Sequence, residues 1–446
     1  MAQISIIQKS ECSKYDFGHS LLSPDFFLKD KIDAWNLLCK KSKYIVSDCF
    51  FHIKETTDLV DEISVCYDLT DAIQKFLNDG KNLKIIKSNK KIAKKDDFII
   101  SRLRYYLEEM AIVESDQRQQ LFSTEFLVFR EKAHNISTFS LFALCMTDTV
   151  QIILKRGQYG TGHPRFYNFL LENLPIPDFL FDIDMSIKTI IINALKKRTE
   201  SKQLYQQAEQ LLLEELGLVN YQPQHQLSFS TTKNDITEAQ RFDSEYFQPK
   251  YFDIINKIED YSGGFDVVKN QFKQNKALVK KDKSFYNYIE IGSVNPSNGE
   301  IVPSLLNTKD IPANGKRELF KNDLLISKVR PYRGAISFID FEAKNLLGSG
   351  AFTVLQEKTG YKKEVLLLFL KTVFIKELLL RYNCGTSYPV IKDEDILNLK
   401  IPLIKPKVQT KIAEKITQSY QLRSESKELL ELAKLKVERE IEKPLA

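Results

Sequence analysis

The 446-residue chain is expected to be α+β: two pseudo-repeated globular domains, each of mixed helix and small β-sheet, separated by two long antiparallel coiled-coil helices. Three observations point there. The stretch RTESKQLYQQAEQLLLEE at 198–215 returns as RSESKELLELAKLKVERE at 423–440 in one ungapped register, 423 − 198 = 225. Shorter motifs keep the same interval: GTGHP at 160–164 and GTSYP at 385–389, LPIP at 174–177 and LKIP at 399–402. Within both long helical stretches, a seam of positions, apolar towards its ends and polar at its middle, alternates in steps of four and three.

The first globular segment, 1–181, opens with DFGHSLLSPDFF (16–27), a loop entering a helix. A lysine-rich run (84–95) precedes two strand-like runs, DFIISRLRYY (97–106) and STEFLVFREK (123–132), rich in β-branched and aromatic residues. One helix is expected over 138–155, and Pro175 and Pro177 then force an extended chain. A spacer helix spans 182–217 and is stopped by Gly217, with Asp182 and Asp184 read as favourable charges in its first turn. At 1.5 Å per residue it is roughly 50 Å long. Its seam is Ile187, Ile191, Ala194, Arg198, Ser201, Tyr205, Ala208 and Leu212. The 225-residue shift gives Ile412, Ile416, Ser419, Arg423, Ser426, Leu430, Ala433 and Val437. Polar seam residues cost stability but fix register, so the two matching helices are expected to pair with each other.

A linker, 218–240, rich in Gln, Ser and Thr, leads to the second globular segment, 241–406, and a second spacer helix, 407–446. RFDSEYFQPKYF (241–252) is set opposite 16–27 by its proline, 249 − 24 = 225. NDLLISKVRPY (322–332) matches DDFIISRLRYY one residue further on, 330 − 104 = 226, and SGAFTVLQEK (349–358) matches STEFLVFREK. The interval 29–96 finds no counterpart in 254–322. A repeated framework with a divergent interior suits one scaffold applied to two targets.

A formal charge of +6 permits a polyanionic partner without requiring one. The first residues lack a continuous apolar stretch, and the most apolar later run, 365–380, is broken by Lys371 and Lys376, so neither secretion nor a membrane span is expected. The six cysteines form no CxxC pair and read as free thiols in a reducing cytoplasm. The five histidines are dispersed, giving no metal site. No P-loop, glycine-rich nucleotide fingerprint or Asn-Pro-Pro-aromatic motif occurs, so no cofactor, S-adenosylmethionine included, is expected on this chain.

Binding features are more specific together than singly. Arg102, Arg104 and Tyr105 in one copy, and Lys328, Arg330, Tyr332 and Arg333 in the other, set cations beside aromatics. Guanidinium forks suit phosphates and guanine edges; a solvated strand end is the plainer alternative. The loops around Thr161, His163 and Arg165, and around Thr386, Ser387, Tyr388 and Lys392, can grip a phosphate or simply turn through a left-handed glycine. YIEIGSVNPSNGEIVP (288–303) reads as strand, turn and strand, with Asn295 and Asn298 at the tip either for base edges or for turn chemistry.

RFDSEYFQP, YIEIGSVNPSNGEI, FKNDLLISKVRPYRGAI, GSGAFTVL, GTSYPVIKDEDILNLKIPL and the helix after Lys407 resemble, in that order, the specificity (S) subunit of Type I restriction–modification systems. The first half departs: DFGHSLLSP replaces the RFDxEYxxP-like run, and FIISRLRYYLEE lacks the Val-Arg-Pro and following glycine. The resemblance implies that 1–181 and 241–406 are target-recognition domains, each reading one half of a split site in double-stranded DNA. It implies a non-catalytic subunit on which two methyltransferase (M) subunits dock and methylate adenines, and which two restriction (R) subunits could join. S-adenosylmethionine, ATP and Mg would lie on those partners. The helix-pairing residues would be Ile187, Ile191, Arg198, Ser201 and Tyr205 with Ile412, Ile416, Arg423, Ser426 and Leu430. Alternatives are a protein-binding scaffold, an S-like subunit of another DNA-modification or phage-defence complex, and an enzyme with an unrecognised nuclease site.

Overall fold

The computed structural model describes residues 12–19, 24–104, 108–132, 136–385 and 388–444. The chain is α+β and divides into two compact units, Met1–Thr199 with Arg423–Ala446, and Glu200–Leu422. The long helices are Phe179–Leu216, ended by Gly217 at φ +66°, and Pro406–Glu442. Each contributes one part to each unit.

Both units use one topology. In the first, an antiparallel sheet runs Phe50–Ile53, Phe126–Glu131, Phe98–Ser101, Met110–Ile112. In the second, the order is Phe272–Gln274, Phe352–Glu357, Leu324–Ser327, Ile336–Phe338. A further sheet in the first unit orders Thr56–Thr57, Lys90–Ala93, Gln120–Phe122, Ser64–Tyr67 and Lys81–Leu83, with Ser64–Tyr67 parallel to Gln120–Phe122. The second unit repeats it as Gly315–Glu318, Leu346–Ser349, Phe285–Ile289, Ser304–Asn307, with Phe285–Ile289 parallel to Leu346–Ser349. An isolated bridge, Leu278 to Arg317, stands where Thr56–Thr57 would be. The interval 29–96 therefore does have a structural counterpart in 254–322. Strands of two to five residues carry too little side-chain pattern to show it by sequence.

Three further expectations are corrected. The prolines at 24 and 249 are not equivalent: Pro24 opens the 3-10 turn Pro24–Phe27, whereas Pro249 is the first residue of helix Pro249–Glu259. The matching elements, Ser244–Phe247 with Pro24–Phe27 and Pro249–Glu259 with Lys29–Cys39, are offset by 244 − 24 = 220. Tyr251 thus stands opposite Lys31, and both are fully buried. Secondly, 138–155 is not one helix. Thr147, at ψ 147°, separates Thr138–Met146 from Asp148–Arg156, which are bent by 75°. Its hydroxyl donates to Leu144 O (2.6 Å) and accepts from Val150 N–H (3.4 Å), capping the second helix. Thr372 breaks the second unit's helix at the equivalent place, 372 − 147 = 225. Thirdly, Asp184 is not a first-turn charge. It is buried and accepts from Ser137 N–H and the hydroxyls of Ser137 and Ser140 at 2.7–2.9 Å, tying helix Phe179–Leu216 to the start of Thr138–Met146. Gln409 does the same for Lys362 N–H in the second unit.

The apolar residues of the two long helices pack together within each unit. In the first unit Ile187, Ile191 and Ala194 share a core with Leu430, Ala433 and Val437. In the second, Ala208 and Leu212 share one with Ile412 and Ile416, and Tyr205 packs against it. Partner numbers rise on one helix as they fall on the other, so each pairing is antiparallel. Ser426 donates to Ala194 O (2.6 Å) in the first unit, while in the second Ser201 and Ser419 donate to each other's carbonyl (2.7 Å). Burying Leu or Ile there would contribute roughly 1.5–3 kcal/mol each, against about 1 kcal/mol for a hydroxyl–carbonyl bond, so the serines favour register over stability. Arg423 is buried, and Arg198 lies 5.0 Å from the Phe76 ring. Among the described residues no single helix is long and apolar enough to cross a membrane, and the apolar bent pair at 138–156 lies in the first core.

Candidate nucleic-acid interface

Each unit joins the two motifs that the sequence singled out. In the first, strand Phe98–Ser101 ends at Arg102 and Leu103, and Arg104 turns into the left-handed region at φ +50°. Its N–H donates to Pro164 O (2.8 Å), and Leu103 bridges to Arg165, so the GTGHP loop is fastened to the strand end. In the second unit Leu324–Ser327 leads to Arg330 at φ +47°, whose N–H donates to Pro389 O (2.9 Å), while Val329 bridges to Val390. Ser101 and Ser327 make the same hydroxyl bond, to Leu103 O (3.1 Å) and Val329 O (2.8 Å). A non-glycine residue in this region costs of order 1 kcal/mol or more, and in both units the backbone bond to the loop proline holds the arginine there.

The residue before each loop proline meets the arginine. Arg104 Nη2 lies 2.9 Å from His163 Nδ1, and the Arg330 guanidinium lies 5.0 Å from the Tyr388 ring. His163 and Tyr388 are exposed, as is Thr161. Gly160 and Gly385 are left-handed, at φ +85° and +90°, so both loops have the turn geometry. Tyr105, Thr386 and Ser387 lie outside the described residues.

Acidic residues that the sequence reading passed over orient the other cations. Glu125 receives Arg102 Nε (2.9 Å) and both Nε and Nη2 of Arg165 (2.7–3.1 Å). Those bonds, from Arg165 foremost, hold its carboxyl below the usual range despite partial burial. In the second unit Lys328 pairs with Asp393 (3.2 Å), which also accepts from the Thr353 hydroxyl (2.6 Å). Burial pushes Asp393 up, but Thr353 and Lys328 outweigh it and the net shift is downward. Both acids sit in stretches legible only as strand or loop, and nothing in their spacing marked them.

Pro331–Arg333 forms a short 3-10 turn closed by Gly334 at φ +79°, leaving Tyr332 half-buried and Arg333 exposed. A Cβ on Gly334 would lie 3.4 Å from Pro296 O, so this turn and the 294–301 turn meet closely. Only an isolated bridge, Val294 to Ile301, closes the latter, where a second strand was expected. Asn295 Oδ1 accepts from Ser297 N–H (2.9 Å), the Ser297 hydroxyl (2.7 Å) and Asn298 N–H (3.4 Å), and Asn298 Oδ1 accepts from Glu300 N–H (2.8 Å). Both side-chain oxygens are thus engaged in turn chemistry. Lys392 is exposed and caps helix Asp393–Leu397, its N–H donating to Asp395 (2.7 Å). Among the described residues, no group of three or more His, Cys, Asp or Glu side chains is placed to hold a metal ion.

Residues 263–435 match the family model of the Type I restriction modification DNA specificity domain. No curated protein matches the sequence. Among solved structures, the chain is similar to the Type-I restriction-modification system S subunit from M. genitalium (12% identity, TM-score 0.40, covering 90% of this chain and 96% of that one). It is also similar to the HsdS subunit from Thermoanaerobacter tengcongensis (16%, TM-score 0.31, 90% and 96%). A third is a chain from work on complex assembly and conformational transition of the type I R-M system (16%, TM-score 0.28, 88% and 95%).

Proposed function

We propose, from the match of 263–435 to the Type I restriction modification DNA specificity domain, that the whole chain is a non-catalytic specificity subunit whose two units each read half of a split site in duplex DNA. The observation that carries this beyond the matched segment is the repeated strand-end arginine. The N-terminal portion of the first unit, Met1–Thr199, lies outside the match and holds Arg104 in the left-handed geometry that Arg330 has inside it. Fixed cations beside exposed loops supply phosphate anchoring, and a guanidinium fork can read guanine O6 and N7, a pair worth roughly 1–3 kcal/mol of discrimination. Stacking on Tyr388 limits the freedom that Arg330 would lose on binding.

In this reading the helix pairs carry docking sites for two methyltransferase subunits, which hold S-adenosylmethionine and take the target adenine out of the stack. Restriction subunits, with ATP and Mg, join the same assembly. The test is a methyladenine map of DNA from cells expressing the chain with its methyltransferase subunit. One split motif, with methyladenine in both halves and a fixed unspecified spacer, is the expected result. A stable complex that produces no new methylation overturns the reading in favour of a protein-binding scaffold.

A further inference from the structure

Beside the arginine cluster of the first unit lies a cation that none of the above uses. Lys91, on strand Lys90–Ala93, is 92% buried, with only 8% of its surface exposed. Among the described residues its ammonium has no hydrogen-bond or ion-pair partner, yet it is not among the fully enclosed polar atoms. Buried lysines are rare unless paired, because taking a charge from water is costly. Its charged surroundings make matters worse. Burial, then Arg102 and Lys54, push its pKa down to about 8, against weaker support from Glu125 and Glu172. Those two carboxylates are already engaged: Glu125 by Arg102 and Arg165, Glu172 by His52 Nδ1 (2.7 Å) and Lys54 (3.1 Å).

The second unit lacks this arrangement. Lys91 pairs across the sheet with Phe122, and Arg317 pairs with Gly348, where 348 − 122 = 226, so Arg317 occupies the matching place. Its guanidinium donates to Lys276 O (3.0 Å). The first unit, in turn, lacks the Pro-Tyr-Arg-Gly turn that follows Arg330.

We propose that Lys91, flanked by Lys54 and Arg102, is a phosphate pocket that grips one DNA phosphodiester in the first unit, a contact with no equivalent in the second. This rests on the reading of the strand-end cluster as a DNA face. A bound phosphate would supply the anion that Lys91, alone of the three cations among the described residues, lacks, and it would lie beside the Arg102–Glu125–Arg165 group.

The test is anisotropy titration of labelled duplex DNA with the full-length chain across a salt series, comparing wild type, Lys91→Met, Lys91→Arg and Lys87→Met. Lys87 is an exposed lysine of the same stretch and controls for net charge. Losing one phosphate contact lowers the log–log salt slope by about 1 and weakens binding uniformly across sequences. Lys91→Met is expected to lose about 5- to 10-fold affinity and that unit of slope, Lys91→Arg to retain both, and Lys87→Met to stay within about twofold. Equal effects of Lys91→Met and Lys87→Met, or lost affinity with an unchanged slope, overturn the pocket. A wild-type chain with no salt-dependent affinity overturns the DNA face itself, and the pocket with it.

Discussion

The two units share a backbone and differ in what the backbone holds. Asp97 receives both Nε and Nη2 of Arg130 (2.7–2.8 Å), whereas at the matching strand positions Asp323 receives the amide of Gln356 (2.7 Å). Asp30 pairs with Arg156 on the neighbouring helix; the corresponding helix pair of the second unit joins Lys250 to Glu377, with the charges exchanged. His163 meets Arg104, and Tyr388 meets Arg330. Strand order, helix breaks and the strained arginine recur in both. The comparison teaches that the selected object is a frame of backbone hydrogen bonds, within which side-chain chemistry can be exchanged pair by pair.

The strongest way to break that comparison is to remove the arginine that both units keep. Arg104→Gly and Arg330→Gly relieve the left-handed strain, so stability should hold or rise by up to about 1 kcal/mol. Duplex affinity should nevertheless fall about 10- to 100-fold, each variant erasing recognition of one half-site in the methylation map. Unchanged affinity would make the arginines mere turn residues.

Lys31 sharpens the comparison, since its counterpart is Tyr251, whose hydroxyl donates to Glu245, whereas Lys31 donates to Phe26 O (3.0 Å). Burial drives Lys31 down to about 6. Between the ordinary lysine pKa and that value the unfolded chain takes up a proton that the folded chain refuses, so wild type loses stability as pH falls across the window. Lys31→Met should therefore melt higher, by about 1–2 kcal/mol at neutral pH, with a lead that widens towards pH 6 and then levels. A lead independent of pH would refute the buried, uncharged lysine.

The smallest effect is expected at Glu125. Glu125→Gln frees Arg102 and Arg165 and should raise affinity for unrelated duplexes about threefold, with a steeper salt slope. Because its carboxyl is held low in the folded state, the stability it contributes is complete at neutral pH and is lost as pH falls below the ordinary value of 4.5. The variant's stability should be flatter over that acid range; an identical acid profile would mean that the clamp contributes nothing.

Periodic and punctuating features were legible in the sequence. The helix seam, Gly217, the loop glycines and the strand-end motifs all carry local signatures. What escaped depended on three dimensions. Thr147 breaks a helix that its apolar neighbours would continue, and Asp184 looks like a helix-start charge until the helix is seen to begin at Phe179. The prolines at 24 and 249 matched by identity although one opens a 3-10 turn and the other an α-helix. Glu125, Asp393 and Lys91 matter because of what surrounds them, and a carboxylate or lysine in a charged sequence announces none of that.

The division of the long helices also sets an order of events during synthesis. The first unit's core includes Leu430, Ala433, Val437 and Ile441, and Lys41 donates to the carbonyls of Glu440 (3.1 Å) and Ile441 (2.7 Å). The half of the molecule translated first is therefore the last to be completed. Until those final turns leave the ribosome, its apolar groove stays open, whereas Glu200–Leu422 already contains all of its own parts. A nonsense codon placed after Leu422 and before the last two turns would then leave Glu200–Leu422 whole and put its lesion in the N-terminal unit, some four hundred residues upstream in the chain.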